Sequence, residues 1–173
     1  LEYIAAQPLE ARELGCEPDY NAYTGAANIK PNAELPMRTA SGHIHIGWTN
    51  DMDIFSQEHA SQCRAAAQQM DIMLGLASLF YDDDVRRRSM YGKAGCCRIK
   101  GYGVEYRTLS NAWLLSAERM AWAFRNTKKA MEMLMDGRAL FLETTADVEA
   151  IINTSDKAAA EKLIRQFDLE MVA

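Results

Sequence analysis

The chain has no run of about 18 apolar residues, the length that a membrane-spanning helix needs. Its first residues mix Glu2, Glu10, Arg12 and Glu13 into apolar ones, which does not read as a signal peptide. Cys16, Cys63, Cys96 and Cys97 form no C-x-x-C pair and no disulfide-scaffold spacing. They read as small buried residues of a protein kept in a reducing, cytoplasmic compartment. No Gly-x-x-x-x-Gly-Lys-Ser/Thr loop is present, which excludes a P-loop. No Gly-x-Gly-x-x-Gly follows a strand, which speaks against a dinucleotide fold, and no Ser/His/Asp arrangement is recognisable. Histidine is scarce at three residues, too few for a barrel-type amidohydrolase, and the His and Cys spacing does not suit zinc. A formal net charge of −5 gives no general affinity for a nucleic-acid backbone. No internal repeat or low-complexity segment appears.

What is present is one domain's worth of chain, 173 residues, with two segments that carry chemistry. One is Arg38-Thr39-Ala40-Ser41-Gly42-His43-Ile44-His45-Ile46-Gly47, and the other is Tyr102-Gly103-Val104-Glu105-Tyr106-Arg107. Alternate side chains of a strand share a face. His43 and His45 therefore project together, and so do Glu105 and Arg107 on a second strand. Arg86, Arg87, Arg88, Lys93, Arg98 and Lys100 lie in or beside these segments, and arginine binds phosphate bidentately. The run Asp82-Asp83-Asp84-Val85-Arg86-Arg87-Arg88 reads either as solvated surface or as part of a phosphate site. Two imidazoles with carboxylates suit Mg²⁺ or Mn²⁺ carried with phosphate oxygens. The residues alone thus suggest a metal–nucleotide phosphate site on an antiparallel sheet.

Around these segments the pattern predicts a helix over 2–14 interrupted by Pro8, a long irregular segment over 15–38, and a strand over 41–49. A helix over 56–80 follows, capped by Ser56, with a Met and Leu stripe as core and His59 at its surface. One or two strands over 96–109 suggest a hairpin at Lys100-Gly101. A second long helix covers 112–135, and short helices cover 146–152 and 156–167, the last capped by Ser155.

In this order the motifs resemble the glutamine synthetase superfamily, with its Gly-x-x-His-x-His strand, arginine segment and later Glu-x-Arg. The detail is similar to the phage-type COOH–NH2 ligases, type 2. It is carried by Cys16-Glu17-Pro18-Asp19-Tyr20-Asn21-Ala22-Tyr23-Thr24-Gly25, by the two segments above, and by Arg87-Arg88-Ser89-Met90-Tyr91-Gly92-Lys93-Ala94-Gly95. The resemblance covers roughly residues 14–135. It implies an α+β fold, an antiparallel sheet packed by long helices with a glutamine synthetase-like catalytic domain, and ATP-dependent joining of a carboxylate to an amine through an acyl phosphate. It implies His43 and Glu105 as metal ligands, His45 and Arg107 at the reacting groups, and Arg88, Lys93 and Arg98 at the nucleotide phosphates. The implied cofactors are ATP and Mg²⁺ or Mn²⁺, and the implied partners are a carboxylate and an amine. The superfamily also places early carboxylates before the His-x-His strand. Glu2, Glu10, Glu13, Glu17, Asp19 and Glu34 form no alternating pair. The expectation is therefore that this is the C-terminal portion of a longer ligase, completed by an N-terminal portion or a second copy. A non-catalytic nucleotide- or metal-binding module, or a metal-dependent hydrolase, stand as alternatives.

Overall fold

The computed structural model describes residues 3, 6–8, 19–29 and 41–172. The expectations for Cys16, Arg38, most of the 2–14 helix and the carboxylates Glu2, Glu10, Glu13, Glu17 and Glu34 lie outside the described residues. The protein is α+β. Strands β1 (Tyr20–Asn21), β2 (Ile44–Gly47), β3 (Cys96–Lys100) and β4 (Gly103–Tyr106) form one antiparallel sheet in the order β1-β3-β4-β2. The helices are α1 (Gln57–Met70), α2 (Val85–Met90), α3 (Ala117–Met135), α4 (Val148–Asn153) and α5 (Lys157–Gln166). None is long and apolar enough to cross a membrane, among the described residues.

Register decides what the sheet can do. His45 pairs with Glu105, and Glu105 with Arg98, so one row across three strands carries an imidazole, a carboxylate and a guanidinium. The period of two sends Ile46, Val104, Tyr106 and Cys97 to the opposite face, into the core under α1. The hairpin expected at Lys100-Gly101 is the β3–β4 turn. Gly103 sits at φ 149, and a Cβ there would stand 2.1 Å from the Ile46 carbonyl oxygen. Only glycine lets β4 approach β2 this closely.

Helix α1 starts at the expected cap, where Ser56 Oγ accepts from the His59 amide at 3.5 Å. Cys63, Ala67, Met70, Leu74 and Ala77 are buried, as a core stripe should be. The helix runs on through a π-helical turn, Asp71–Gly75, into a last helical turn at Leu76–Ser78. That turn brings Asp71 under the sheet. His59 departs from expectation: it is fully buried rather than at the surface. It stands in the first turn of α1, its Nε2 lies 2.7 Å from the Lys100 carbonyl oxygen, and Trp48 packs beside its ring. The β3–β4 turn folds over it, a long-range contact that a local pattern does not carry.

The long helix expected over 112–135 is broken. A 3-10 stretch, Asn111–Leu115, ends at Ser116, which is extended and whose Oγ accepts from the Arg119 amide at 3.1 Å to start α3. A serine with a capping geometry outweighs a continuous apolar pattern. The cap of α5 is Asp156, not Ser155. Asp156 Oδ1 accepts from the Ala159 amide at 3.0 Å, while Ser155 takes a left-handed φ of 55° in the tight α4–α5 link. Helices α4 and α5 bury Val148, Ile152, Leu163 and Ile164 against the end of α1.

Candidate active site

Glu105 is the centre of the charged face. It is 4% exposed on the central strand β4. A carboxylate taken out of water needs charge or hydrogen bonds in return. Arg107 Nη1 donates to its Oε1, and His43 Nδ1 lies 2.9 Å from the same atom. Arg98 Nη1 is 3.9 Å from Oε1, and Lys100 Nζ is 3.8 Å from Oε2. The Arg107 guanidinium is held on its other edges. Its Nε donates to Asp19 Oδ2 at 3.3 Å and its Nη2 to the Tyr91 hydroxyl. Asp19 is fixed in turn by Asn28, whose Nδ2 donates to Oδ1 at 3.0 Å.

His43 closes this arrangement. Its Nε2 is 3.3 Å from the Tyr91 hydroxyl, and Tyr91 lies beneath Arg107, with the guanidinium carbon 5.2 Å from the ring centre. Burial, then the charges of Arg107 and Arg98, pull the His43 pKa down from 6.5 to about 4. The ring is neutral near pH 7, and its Nδ1 lies 2.9 Å from Glu105 Oε1 and 3.2 Å from Arg107 Nη1, so one tautomer donates to the carboxylate and the other accepts from the guanidinium. His45 is exposed beside this cluster, with its Nδ1 hydrogen-bonded to the Tyr102 hydroxyl.

The structure thus brings together His43, His45, Arg98, Glu105 and Arg107. It does not bring Arg88 or Lys93 to them. Arg88 is fully buried, and its Nη2 donates to the Asp82 carbonyl at 3.1 Å. Its neighbour Arg87 pairs with Asp82 at 2.6 Å and donates to the Tyr91 carbonyl at 3.0 Å. The arginine run is therefore half interior: Arg87 and Arg88 shape the segment that presents Tyr91, while Arg86, Asp83 and Asp84 are exposed. Gly92 follows at φ 78 with the Thr108 carbonyl 2.8 Å from any added Cβ, which fixes this bend as glycine. Lys93 is half-buried beside a separate cleft of about 390 Å³, which Arg88 also lines with Asn21, Asn28, Glu149 and Asn153.

Sequence reasoning missed Tyr91, Tyr102 and Asp71. Asp71 had a signal, a single acid inside the apolar stretch Met70–Ala77. It is fully buried on the other side of the sheet. Tyr106 Oη donates to it at 2.8 Å, Tyr23 Oη at 2.9 Å, Thr108 Oγ1 at 3.0 Å and the Gly95 amide at 2.5 Å. Burial pushes its pKa up from 3.8 to about 6 against the pull of these four donors.

The metal expected at His43 and Glu105 can be tested on this geometry. Glu105 Oε1 already receives Arg107 and His43, and both His43 nitrogens are engaged. No three His, Cys, Asp or Glu side chains converge as a metal site among the described residues. The described residues by themselves do not fit a divalent cation. Among the described residues, the guanidinium of Arg107, that of Arg98 and the ammonium of Lys100 gather around Glu105, with Asp19 on the far edge of Arg107. Guanidinium and ammonium groups are the side chains that recognise phosphate and carboxylate oxygens.

Residues 35–171 match the family described as Phage phiEco32-like COOH.NH2 ligase-type 2, and the chain belongs to that family. The family's name denotes ligases that join a carboxyl to an amino group. No curated protein and no solved structure matches the chain.

Proposed function

We propose that the charged face is the active site of an ATP-dependent carboxylate–amine ligase working through an acyl phosphate, on a sheet of the glutamine synthetase type. A substrate carboxylate oxygen attacks the γ-phosphorus of ATP. The new O–P bond forms as the bond to the β-phosphate oxygen breaks, and ADP leaves. The amine nitrogen then attacks the acyl carbon, the C–O bond to phosphate breaks, and phosphate and the amine's proton are released. Both steps move negative charge across oxygens, which preorganised cations stabilise.

The observation that supports this most is the single row His45–Glu105–Arg98, with Arg107 and His43 beside it, in a chain of this ligase family. Glu105 and Asp19 hold the Arg107 guanidinium rigidly, and Glu105 also draws Arg98 and Lys100 inward. His45 is the exposed group beside them and faces the reacting carboxylate or phosphate. Arg98 and Lys100 bear the transferred phosphate. Lys93, in the cleft that Arg88 also lines, meets a more remote part of the nucleotide, and Arg88 supports the Tyr91 segment from within. Magnesium or manganese, when bound with ATP, would supply further neutralisation of phosphate charge. The saturation of Glu105 and His43 favours a second reading, an anion-binding module without turnover.

Isotope transfer separates the two. The chain, alone and within its whole reading frame, is incubated with ATP, Mg²⁺, an amine mixture and ¹⁸O-carboxylate amino acids and peptides. The ligase reading expects ADP that depends on both substrates, with ¹⁸O appearing in the released phosphate. Label found in AMP would contradict the acyl phosphate. Binding of ATP without any ADP would leave the module.

A further inference from the structure

Strand β2 is the outermost strand of the sheet among the described residues, so its outer backbone edge faces away from β4. Among the described residues, helix α3 faces it across two clefts. Met120, Phe124, Met131 and Met135 fall at i, i+4, i+11 and i+15, one face of that helix. Phe124 is 73% exposed and Met135 86%. The two adjoining clefts, of about 550 and 530 Å³, share Ile46, Gly47 and Met131, the first between β2 and α3 and the second walled also by Gln62, Ala65 and Ala66 of α1. Trp113 lines the first cleft, its Nε1 donating to the Gly42 carbonyl at 3.0 Å. A strand edge above an apolar helix stripe has the shape of a sheet lacking one strand.

We propose that this trough binds an extended acidic peptide, which adds to β2 as a fifth strand and is the carboxylate substrate. The substrate role rests on the ligase reading above. Three features select this occupant. An added strand alternates its side chains, one set toward α3 beside Ile44 and Ile46 and the other onto the charged face beside His45. That matches apolar and acidic residues in turn. The trough's described lining holds Lys128 and His45 and no Asp or Glu, although the chain carries a net charge of −5. An acidic segment thus meets no like charge in this lining, while a second copy of this acidic chain brings no charge complement. Finally, strands stand about 4.8 Å apart, so the added strand lies about 10 Å from β4. A glutamate beside His45 then reaches toward the Glu105–Arg107 cluster, where a carboxylate must go to be activated.

The test uses the full chain and the probe acetyl-Val-Glu-Val-Glu-Val-amide, whose only carboxylates are side chains. Amide exchange of Ile44–Gly47 is followed with and without it, beside an analogue N-methylated at alternate residues. Inorganic tripolyphosphate reports separately on the cation cluster. The expected result is saturable peptide binding that slows exchange of the β2 amides ~10-fold, with no effect of the N-methylated analogue. Phe124→Glu, at an exposed helix position outside the charged face, should weaken the peptide at least ~10-fold and leave tripolyphosphate affinity unchanged. Tripolyphosphate binding without peptide protection overturns this proposal and spares the ligase reading. Peptide binding without tripolyphosphate binding overturns the substrate role. Protection of β2 in the free protein through a dimer that Phe124→Glu dissociates makes the occupant a second copy and overturns it as well.

Discussion

Two neighbouring residues of one strand, Glu105 and Tyr106, open onto two carboxylate sites built on opposite principles. On the core face, Asp71 is satisfied by three hydroxyls and an amide, all neutral. On the other face, Glu105 is satisfied by guanidinium, ammonium and imidazole groups. Neutral donors close a carboxylate off: each hydrogen bond is internal, and the group pins the π-turn of α1 to Tyr106 on β4 and to Thr108 just beyond it. Cations do something else. They surround the carboxylate with charged donors on the face where the ligase proposal sets the reaction. The first arrangement serves stability, and the second is the one to which the proposal assigns function.

Asp71→Ala should have the largest effect on stability. It leaves the Tyr106 and Tyr23 hydroxyls and the Gly95 amide without this acceptor, while Thr108 Oγ1 can still donate to the Lys93 carbonyl at 3.0 Å, and it should cost about 3 kcal/mol, read as a lower urea midpoint. Asp71→Asn keeps an acceptor and should cost less. Glu105→Gln should do the reverse. It keeps an oxygen for Arg107, so the midpoint should fall by only about 1 kcal/mol, while the ligation rate should drop by ~100-fold through loss of charge organisation. If Glu105→Gln unfolds the protein and Asp71→Ala does not, the two roles are exchanged.

pH sharpens the contrast because the two faces have opposite sign. Asp71 has a pKa raised from 3.8 to about 6, so the folded state holds its proton more tightly than the unfolded chain. Its contribution is full below about 3.8 and is lost as pH rises through about 6. His43 has a pKa lowered from 6.5 to about 4, so its contribution is present above 6.5 and is lost as pH falls through about 4. Urea midpoints measured from pH 4 to 8 should therefore show partial cancellation. Asp71→Asn should leave a protein that loses stability only toward acid, and His43→Gln one that loses it only toward neutral pH. Unchanged profiles in both variants would show that neither group titrates in this range.

The alternation His43-x-His45 and Glu105-x-Arg107 was legible in the sequence because a period of two needs only a strand, and the register then made one site of two motifs. The core stripe of α1 was legible for the same reason at helical period. Asp71 was not, because its four partners lie in three other segments of the chain and its placement depends on a π-turn. His59 read as surface because the β3–β4 turn that buries it lies some 40 residues on. Arg88 shows the limit of composition: three adjacent arginines look alike in a row, yet one is fully buried and another is exposed.

The smallest expected effect concerns Lys93. Because it sits in the cleft on the β1 side, away from Glu105, Lys93→Met should change tripolyphosphate affinity by less than ~2-fold. Arg107→Lys, which keeps the charge but loses the fork, should weaken it ~10-fold. Equal effects in a calorimetric titration would join the two regions into one anion site.

The most direct test is to follow every backbone amide and arginine Nε–H of the protein by NMR while tripolyphosphate is added. Two carboxylates with opposite surroundings predict a saturable response confined to one face. The Nε–H signals of Arg98 and Arg107 and the amides of β2 and β4 should shift together, while the Gly95 amide, bonded to Asp71, stays in place. A response centred on Gly95 and Lys93, or none on the Glu105 face at saturating tripolyphosphate, would contradict the assignment of that face as the working site.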